Sequence, residues 1–167
     1  MLAGRRVVKV AALLSLIALG ACGRRGASAG QSDSAFAAMQ KRGHAVMGVD
    51  QYASAHVFED LQDGGRIFLD ADSVSDSAAI AAIRHHMRDI AVAFRAGDFA
   101  GPFRVHAQVV PGTAVMAARH TRIAYEATDR PRGAEVRLRS TDVEAVTAIH
   151  AFLAFQRSAH HAAGNSS

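Results

Sequence analysis

The sequence AHVFEDLQDGGRIFLDA, at residues 55–71, has the pattern of a β-hairpin. Two segments of alternating apolar and polar residues flank a Gln-Asp-Gly-Gly turn, and Asp-Gly is a common two-residue hairpin turn. Because side chains alternate between the two faces of a strand, the pairing puts one set of residues on a shared face. That set is His56, Phe58, Ile67, Leu69 and Ala71. His56 is therefore expected among apolar side chains.

Two amphipathic segments further along the chain predict helices. In residues 73–96, apolar residues recur at spacings of three and four, which places them on one helical face. Gly97 follows this segment and is a typical helix end. Residues 141–144 have the pattern of a capping box and predict a second helix that continues to about His160.

The remaining segments predict three more strands. Residues 103–110 alternate and are expected to form a single strand with His106 on its half-wet face. Residues 119–128 and 134–140 flank a Pro- and Gly-containing turn and predict a second hairpin. The order is strand, strand, helix, strand, strand, strand, helix. It predicts an α+β fold in which two helices cover one face of an antiparallel sheet of about five strands.

Residues 1–21 have the organisation of a bacterial export signal, with a basic start, a short apolar run and small residues at the end. The apolar run is too short to span a bilayer. Leu19-Gly20-Ala21-Cys22 resembles a lipobox, in which the leader is cleaved before the cysteine and the thiol carries diacylglycerol. Cys22 is the only cysteine of the chain, so no intramolecular disulfide can form. We expect a lipoprotein with acyl chains, palmitate among them, on Cys22.

The residues around this site bear on sorting and on partners. Gly23 in place of Asp predicts an outer-membrane location facing the periplasm. Arg5-Arg6 resembles a loose twin-arginine signal, which leaves general secretory and twin-arginine export both open. Loss of the leader removes three of the 19 basic residues and leaves 16 against 15 acidic ones. This balance argues against nucleic acid and leaves the membrane, an envelope protein or a small ligand as partners.

The expected organisation is a single domain. Residues 22–41 are small and polar, and they predict a flexible tether. Residues 42–161 predict the α+β domain, and residues 162–167 a disordered tail. Half of the residues are apolar and a fifth are charged, which is the composition of a globular protein. The oligomeric state stays open.

Histidine is the residue type that could supply chemistry, since the chain has nine histidines and no tryptophan. His150 lies in a run that is apolar around nearly the whole predicted helix, and His56 and His86 lie on the apolar sides of their elements. Three converging imidazoles would match the ligand set of a catalytic zinc or type-two copper site. One interpretation is a copper or zinc site at these three residues. The alternative is core histidines that bond backbone or carboxylate groups.

Other side chains are weaker candidates for the same site. Met47 and Met116 could add thioether ligands, because exported copper sites often combine histidine with methionine; the alternative is that both fill gaps in the core. His106 is a further weak candidate. The remaining histidines, namely His85, His120, His160 and His161, are expected to be solvated.

Motifs of common enzyme classes are missing from the sequence. There is no G-x-S-x-G, P-loop or dinucleotide fingerprint and no paired acids of glycosidase type, so no catalytic or organic-cofactor residue is assigned. The first function class is a periplasmic lipoprotein that binds a metal ion, a small ligand or an envelope partner. The second is a small metal-dependent enzyme that uses the same histidines. A purely structural lipoprotein without metal is the third.

The assembled motifs resemble those of an uncharacterised group of small exported bacterial proteins. The resemblance covers roughly residues 47–161. The matching pieces are Met47-Gly48-Val49-Asp50-Gln51, His56 with Phe58, Asp63-Gly64-Gly65, Ile83-Arg84 with His86, Gly97-Asp98-Phe99, His106-Ala107, Pro111-Gly112 with Met116, Ile149-His150-Ala151-Phe152-Leu153 with Phe155-Gln156, and His160. The group often has His-His-Phe where this chain has His56-Val57-Phe58. The resemblance implies no particular activity.

Overall fold

The structure is a computed structural model that describes residues 25–49 and 54–162. The strands are β1 (Ser54–Leu61), β2 (Gly64–Ala71), β3 (Ala124–Arg130) and β4 (Gly133–Arg139). The helices are α1 (Arg25–Met47), α2 (Ser77–Arg95), α3 (Ala100–His106), α4 (Thr113–Ala118) and α5 (Val143–His160), with a 3-10 turn at His120–Arg122. The expected α+β class is confirmed. None of the helices in these two ranges is long and apolar enough to cross a bilayer.

The four strands form one antiparallel sheet in the order β1-β2-β4-β3. In the first hairpin His56 pairs with Leu69 and Phe58 pairs with Ile67. These pairs put His56 on the same face as the apolar residues, which confirms the face predicted from the alternation.

The two long helices cover this apolar face of the sheet. Helix α2 packs on β3 and β4, and α5 packs on β1 and β2. Gly65 of β2 allows the close approach of α5, because a Cβ atom there would collide with the side chain of Leu153 and with the carbonyl oxygen of Glu59. The most deeply buried large side chains of this core are Tyr125, Phe152, Leu69, Ile83, Met87, Met116, Leu138, Ile149 and Leu153.

The strand predicted at residues 103–110 is not formed, and the prediction of five strands and two helices was wrong in this detail. The carboxylate of Asp98 accepts a hydrogen bond from the backbone N–H of Ala100 and starts the short helix α3 instead. Pro102 fits the first turn of a helix, where its missing N–H costs nothing. The helix ends at Ala107, which has a left-handed backbone (φ 54°). The alternation of apolar residues was therefore misleading here.

Helix α1 occupies most of the segment expected to be a flexible tether. Its described side chains contact the domain: Met39 is buried, the ring of Phe36 stacks on His161 at 4.6 Å, and the Nε–H of Arg42 donates to the carbonyl oxygen of Val105. These contacts stabilise the helix against α3 and α5. The folded body therefore starts before residue 42, and residues 1–24, with the leader and Cys22, lie outside the described residues.

Candidate functional site: a histidine-lined cavity

Four histidines from four different elements line one cavity of about 90 Å³ between the sheet and the helices. They are His56 on β1, His86 on α2, His106 at the end of α3 and His160 at the end of α5. The rest of the wall is mainly apolar, with side chains of Val46, Met47, Phe58, Ile67, Leu69, Met87, Ile90, Val105 and Phe152. The histidines are therefore the polar groups that a ligand would meet, together with Gln156.

The periodicity of the elements directs these side chains inwards. In α5, Phe152, Gln156 and His160 are four residues apart and so follow one another along the same helical face. In α2, His86 lies beside the buried stripe that contains Met87, and both residues border the cavity. In β1, His56 shares its face with Phe58.

Burial keeps the imidazoles uncharged. Loss of solvent and, to a smaller extent, the neighbouring His86 together lower the pKa of His56 to about 4. Burial likewise lowers the pKa of His86 to about 4, against an opposing effect of the Asp89 charge. The pKa of His160 falls to about 3 because of burial and then the adjacent histidines. Each of these side chains is therefore neutral at pH 7, with one nitrogen lone pair free to act as an acceptor or ligand.

The pKa of His106 is also lowered, again mainly by burial. Its Nε2 lies 3.0 Å from the Oε1 of Gln156. Since a carbonyl oxygen only accepts, Nε2 carries the proton and Nδ1 keeps the lone pair. Gln156 thus selects the tautomer of His106.

The ring nitrogens of the other three histidines have few partners. The Nδ1 of His160 is buried and has no hydrogen-bond partner. In the part of the chain that the structure describes, no hydrogen bond is formed by the ring nitrogens of His56 or His86. Buried polar atoms are rarely left unpaired in folded proteins, so the Nδ1 of His160 is the atom at which a bound group would be expected.

Ring contacts join three of these imidazoles. The centroid of the His160 ring is 5.4 Å from that of His56, with the planes 18° apart, and 5.1 Å from that of His106, with the planes 87° apart. Phe58 contacts both His56 and His160. His160 is therefore central to the cluster, although the sequence analysis assigned it to solvent.

The structure brings His56 and His86 to one cavity but leaves His150 outside it. The Nε2–H of His150 lies 3.0 Å from the carbonyl oxygen of Leu61 and 2.9 Å from that of Gly64, so it donates to the turn between β1 and β2. The expected group of three therefore does not come together. Of the weaker candidates, Met47 and His106 line the cavity, whereas Met116 is fully buried in the core away from it.

The other histidines that were expected in solvent, His85, His120 and His161, differ in their hydrogen-bond and ring partners. His85 is exposed and its Nδ1 lies 2.8 Å from the carboxylate of Asp89. The Nδ1–H of His120 donates to the carbonyl oxygen of Arg95, and His161 is an exposed partner of Phe36. The assignment of His106 to a half-wet surface was wrong, since the residue is only 9% exposed.

The arrangement of donors limits what the cavity can hold. Among residues 25–49 and 54–162, no three His, Cys, Asp or Glu side chains are placed so that they could hold one metal ion together. No carboxylate lies on the described wall of the cavity. A ligand in this cavity would therefore meet only uncharged donors on its described wall, and no three of the described histidines are placed to bind one ion together.

Comparison with known proteins adds no further assignment: no family model, no curated protein and no solved structure matches this chain.

Proposed function

We propose that this chain is an envelope lipoprotein whose α+β domain binds a transition-metal ion in the histidine-lined cavity. The anchor would be the acylated Cys22, and the expected location is the outer membrane facing the periplasm. Both rest on the leader pattern alone. Binding of the ion rests on the cavity.

The observation that carries the metal proposal is the convergence of four neutral imidazoles. A metal ligand has to be deprotonated, and the lowered pKa values of His56, His86 and His160 meet this condition without cost at pH 7. Gln156 orients His106 in the manner of the groups that position metal-bound histidines in known sites.

The spacing of the rings also supports the proposal. Because an imidazole nitrogen lies about 2.0–2.1 Å from a bound ion, two rings on one ion have centroids roughly 5 Å apart. The pairs His56–His160 and His106–His160, at 5.4 and 5.1 Å, are close to that separation. The His56 and His160 rings are stacked, so both side chains would have to rotate to direct their nitrogens to one ion.

Thermal unfolding of the full chain, purified without a histidine tag and stripped with a chelator, tests the proposal. Zinc, divalent copper or, without oxygen, monovalent copper should raise the Tm in a saturable way, because an ion that binds only the folded state stabilises it. His160→Leu should abolish the rise, whereas His120→Gln, outside the cavity, should retain it. No rise with any ion, or the same rise in both variants, would overturn the proposal.

A purely structural role for the cluster is a second candidate, favoured by the contacts of Phe58 with His56 and His160. In that case the rings fill space between the sheet and the helices. His160→Leu would then be neutral or stabilising without metal, and no ion would alter the Tm of the wild type.

A further inference from the structure

We infer that the ion bound in this cavity is monovalent copper, held by two of the imidazoles together with a methionine thioether. The inference rests on the proposed function and adds the identity of the ion. Three properties of the cavity support it: the number of donors, their charge and their softness.

The number of donors favours an ion with low coordination. Zinc sites use three or four protein ligands in a tetrahedral arrangement, and the described residues contain no group of three such side chains placed for one ion. Monovalent copper has a filled d shell and forms stable complexes with two or three ligands. The pair His56 and His160, or the pair His106 and His160, is sufficient for it.

The charge of the wall favours a monovalent ion. The donors are neutral and no carboxylate borders the described cavity, so the full charge of the ion has to be accommodated by dipoles. The free energy of moving an ion out of water rises with the square of its charge. The desolvation of a divalent ion is therefore about four times as unfavourable as that of a monovalent ion of the same size. Divalent copper also prefers four or more nitrogen and oxygen donors in a tetragonal arrangement.

The soft donors of the cavity distinguish copper from zinc. Met47, at the end of α1, and Met87, on α2, both line the cavity. Thioethers bind monovalent copper well and are poor ligands for zinc. Met47 is only partly buried, whereas Met87 is 1% exposed and packed in the core. Met47 is therefore the thioether that we assign to the ion.

The binding step is a ligand exchange in which no electron is transferred. Copper arrives in the monovalent state on a donor ligand, the bonds from that ligand break, and bonds form from two imidazole nitrogens and the sulfur of Met47.

Competition with a chromophoric chelator of monovalent copper, such as bicinchoninate, tests the inference without oxygen at pH 7. The full chain should withdraw one equivalent of copper from the chelator. Met47→Leu should weaken copper binding by at least about tenfold and leave any zinc binding unchanged, because only copper uses the thioether. Met116→Leu, which alters a methionine away from the cavity, is the matched control and should bind as the wild type does. Cys22→Ser should also bind as the wild type does, which excludes the thiol as the site.

A comparison of two substitutions at His160 distinguishes the loss of a ligand from a loss of folding. His160→Leu and His160→Met have similar apolar volumes, but only methionine supplies a donor. His160→Met should retain copper binding and His160→Leu should lose it, with both variants showing the far-ultraviolet circular dichroism of the wild type. If both variants bind equally, the inference is wrong.

The outcomes separate this inference from the proposed function. If zinc or divalent copper binds the wild type, is lost in His160→Leu and outcompetes monovalent copper, the cavity is a metal site and the choice of ion is wrong. If no ion binds the wild type, both proposals fail.

Discussion

At the scale of single residues, His150 stabilises the junction between α5 and the first hairpin. Its Nε2–H is shared between the carbonyl oxygens of Leu61 and Gly64. Replacing it with leucine leaves two partly buried carbonyls without their donor, and we expect His150→Leu to lower the free energy of unfolding by about 1–3 kcal/mol. Urea unfolding followed by circular dichroism measures the change.

His85→Ala is the control for this prediction. His85 is an exposed residue of a neighbouring helix, and its ion pair with Asp89 is solvated, so the substitution should cost less than about 0.5 kcal/mol. Both histidines lie outside the cavity, so neither substitution should change the rise of the Tm that metal produces. Equal losses of stability in the two variants would contradict the assigned role of His150.

Individual histidines were only partly predictable from the sequence. The face of His56 followed from strand parity, and that of His86 from the helical stripe, because both depend on local periodicity. His160 was assigned to a frayed helix end, although its spacing of four and eight residues from Gln156 and Phe152 indicates the buried face. His150 is only partly buried, and its partner is a backbone turn that periodicity does not reveal.

At the scale of elements, the ion pair of Arg157 with Asp60 joins α5 to β1. The guanidinium donates to both carboxylate oxygens at 2.9 and 3.1 Å and to the carbonyl oxygen of Phe58, and the two side chains are only 13% and 5% exposed. Asp60→Asn removes the countercharge of a desolvated guanidinium and should destabilise the fold by about 3–5 kcal/mol.

The exposed pair of Arg139 with Glu126 provides the comparison. Both side chains are about half exposed, so Glu126→Gln should change the free energy of unfolding by less than about 1 kcal/mol. Chemical denaturation of both variants at pH 7 measures the difference. A cost of Asp60→Asn no larger than that of Glu126→Gln would show that the buried pair does not hold α5 to the sheet.

Helix α1 is expected to stay docked because of its apolar contacts. Met39 is 6% exposed, so Met39→Asp should undock the helix and raise the rate of tryptic cleavage after Lys41 by about tenfold or more, through local unfolding. Ala37→Asp introduces the same charge at an exposed position of the same helix and should leave the rate unchanged. Equal rates in the two variants would argue against the docked position of α1.

The elements were predictable where side-chain and capping patterns agreed. Both hairpins, α2 and α5 follow from alternation or from apolar spacing with a cap. The cap of α5 is Asp142 and not Thr141 of the predicted capping box, and its carboxylate accepts from the backbone N–H groups of Glu144 and Ala145. The strand predicted at residues 103–110 was wrong because the alternation there gives no sign of the turn in which Asp98 bonds the backbone N–H of Ala100 just before α3. Helix α1 was missed because its small, polar start has no sustained apolar period, and its position depends on contacts with α3 and α5.

At the scale of the whole molecule, the cavity belongs to no single element. Its wall combines α1, α2, α3 and α5 with the first two strands, and its histidines are spread from residue 56 to residue 160. Spacing along the chain gives no information on contacts between residues so far apart. The sequence could therefore suggest that histidines come together, but not which of them do. Two of the three main candidates, His56 and His86, and two of the three weaker ones, Met47 and His106, line this cavity, and their role as metal ligands stays a prediction.

The burial of neutral imidazoles has a consequence for the stability of the whole metal-free protein. His56, His86 and His160 take up protons near pH 6.5 when unfolded but only at about pH 4, 4 and 3 in the folded state. Between these values the unfolded state binds more protons, so the free energy of unfolding decreases as the pH falls. The stabilisation is complete above pH 6.5 and is lost progressively from pH 6.5 to about 3. The Asp89 charge, which favours protonation of His86, opposes only part of this loss.

Urea unfolding at a series of pH values, in the presence of a chelator, should show this slope. Each histidine that is protonated only in the unfolded state contributes about 1.4 kcal/mol per pH unit. His160→Leu removes one of these groups and should make the slope between pH 6 and 4.5 shallower by up to that amount, whereas His120→Gln should not alter it. A slope unchanged in His160→Leu would mean that the imidazole of His160 is already protonated in the folded protein, and that the cavity is more accessible to water than its apolar wall indicates.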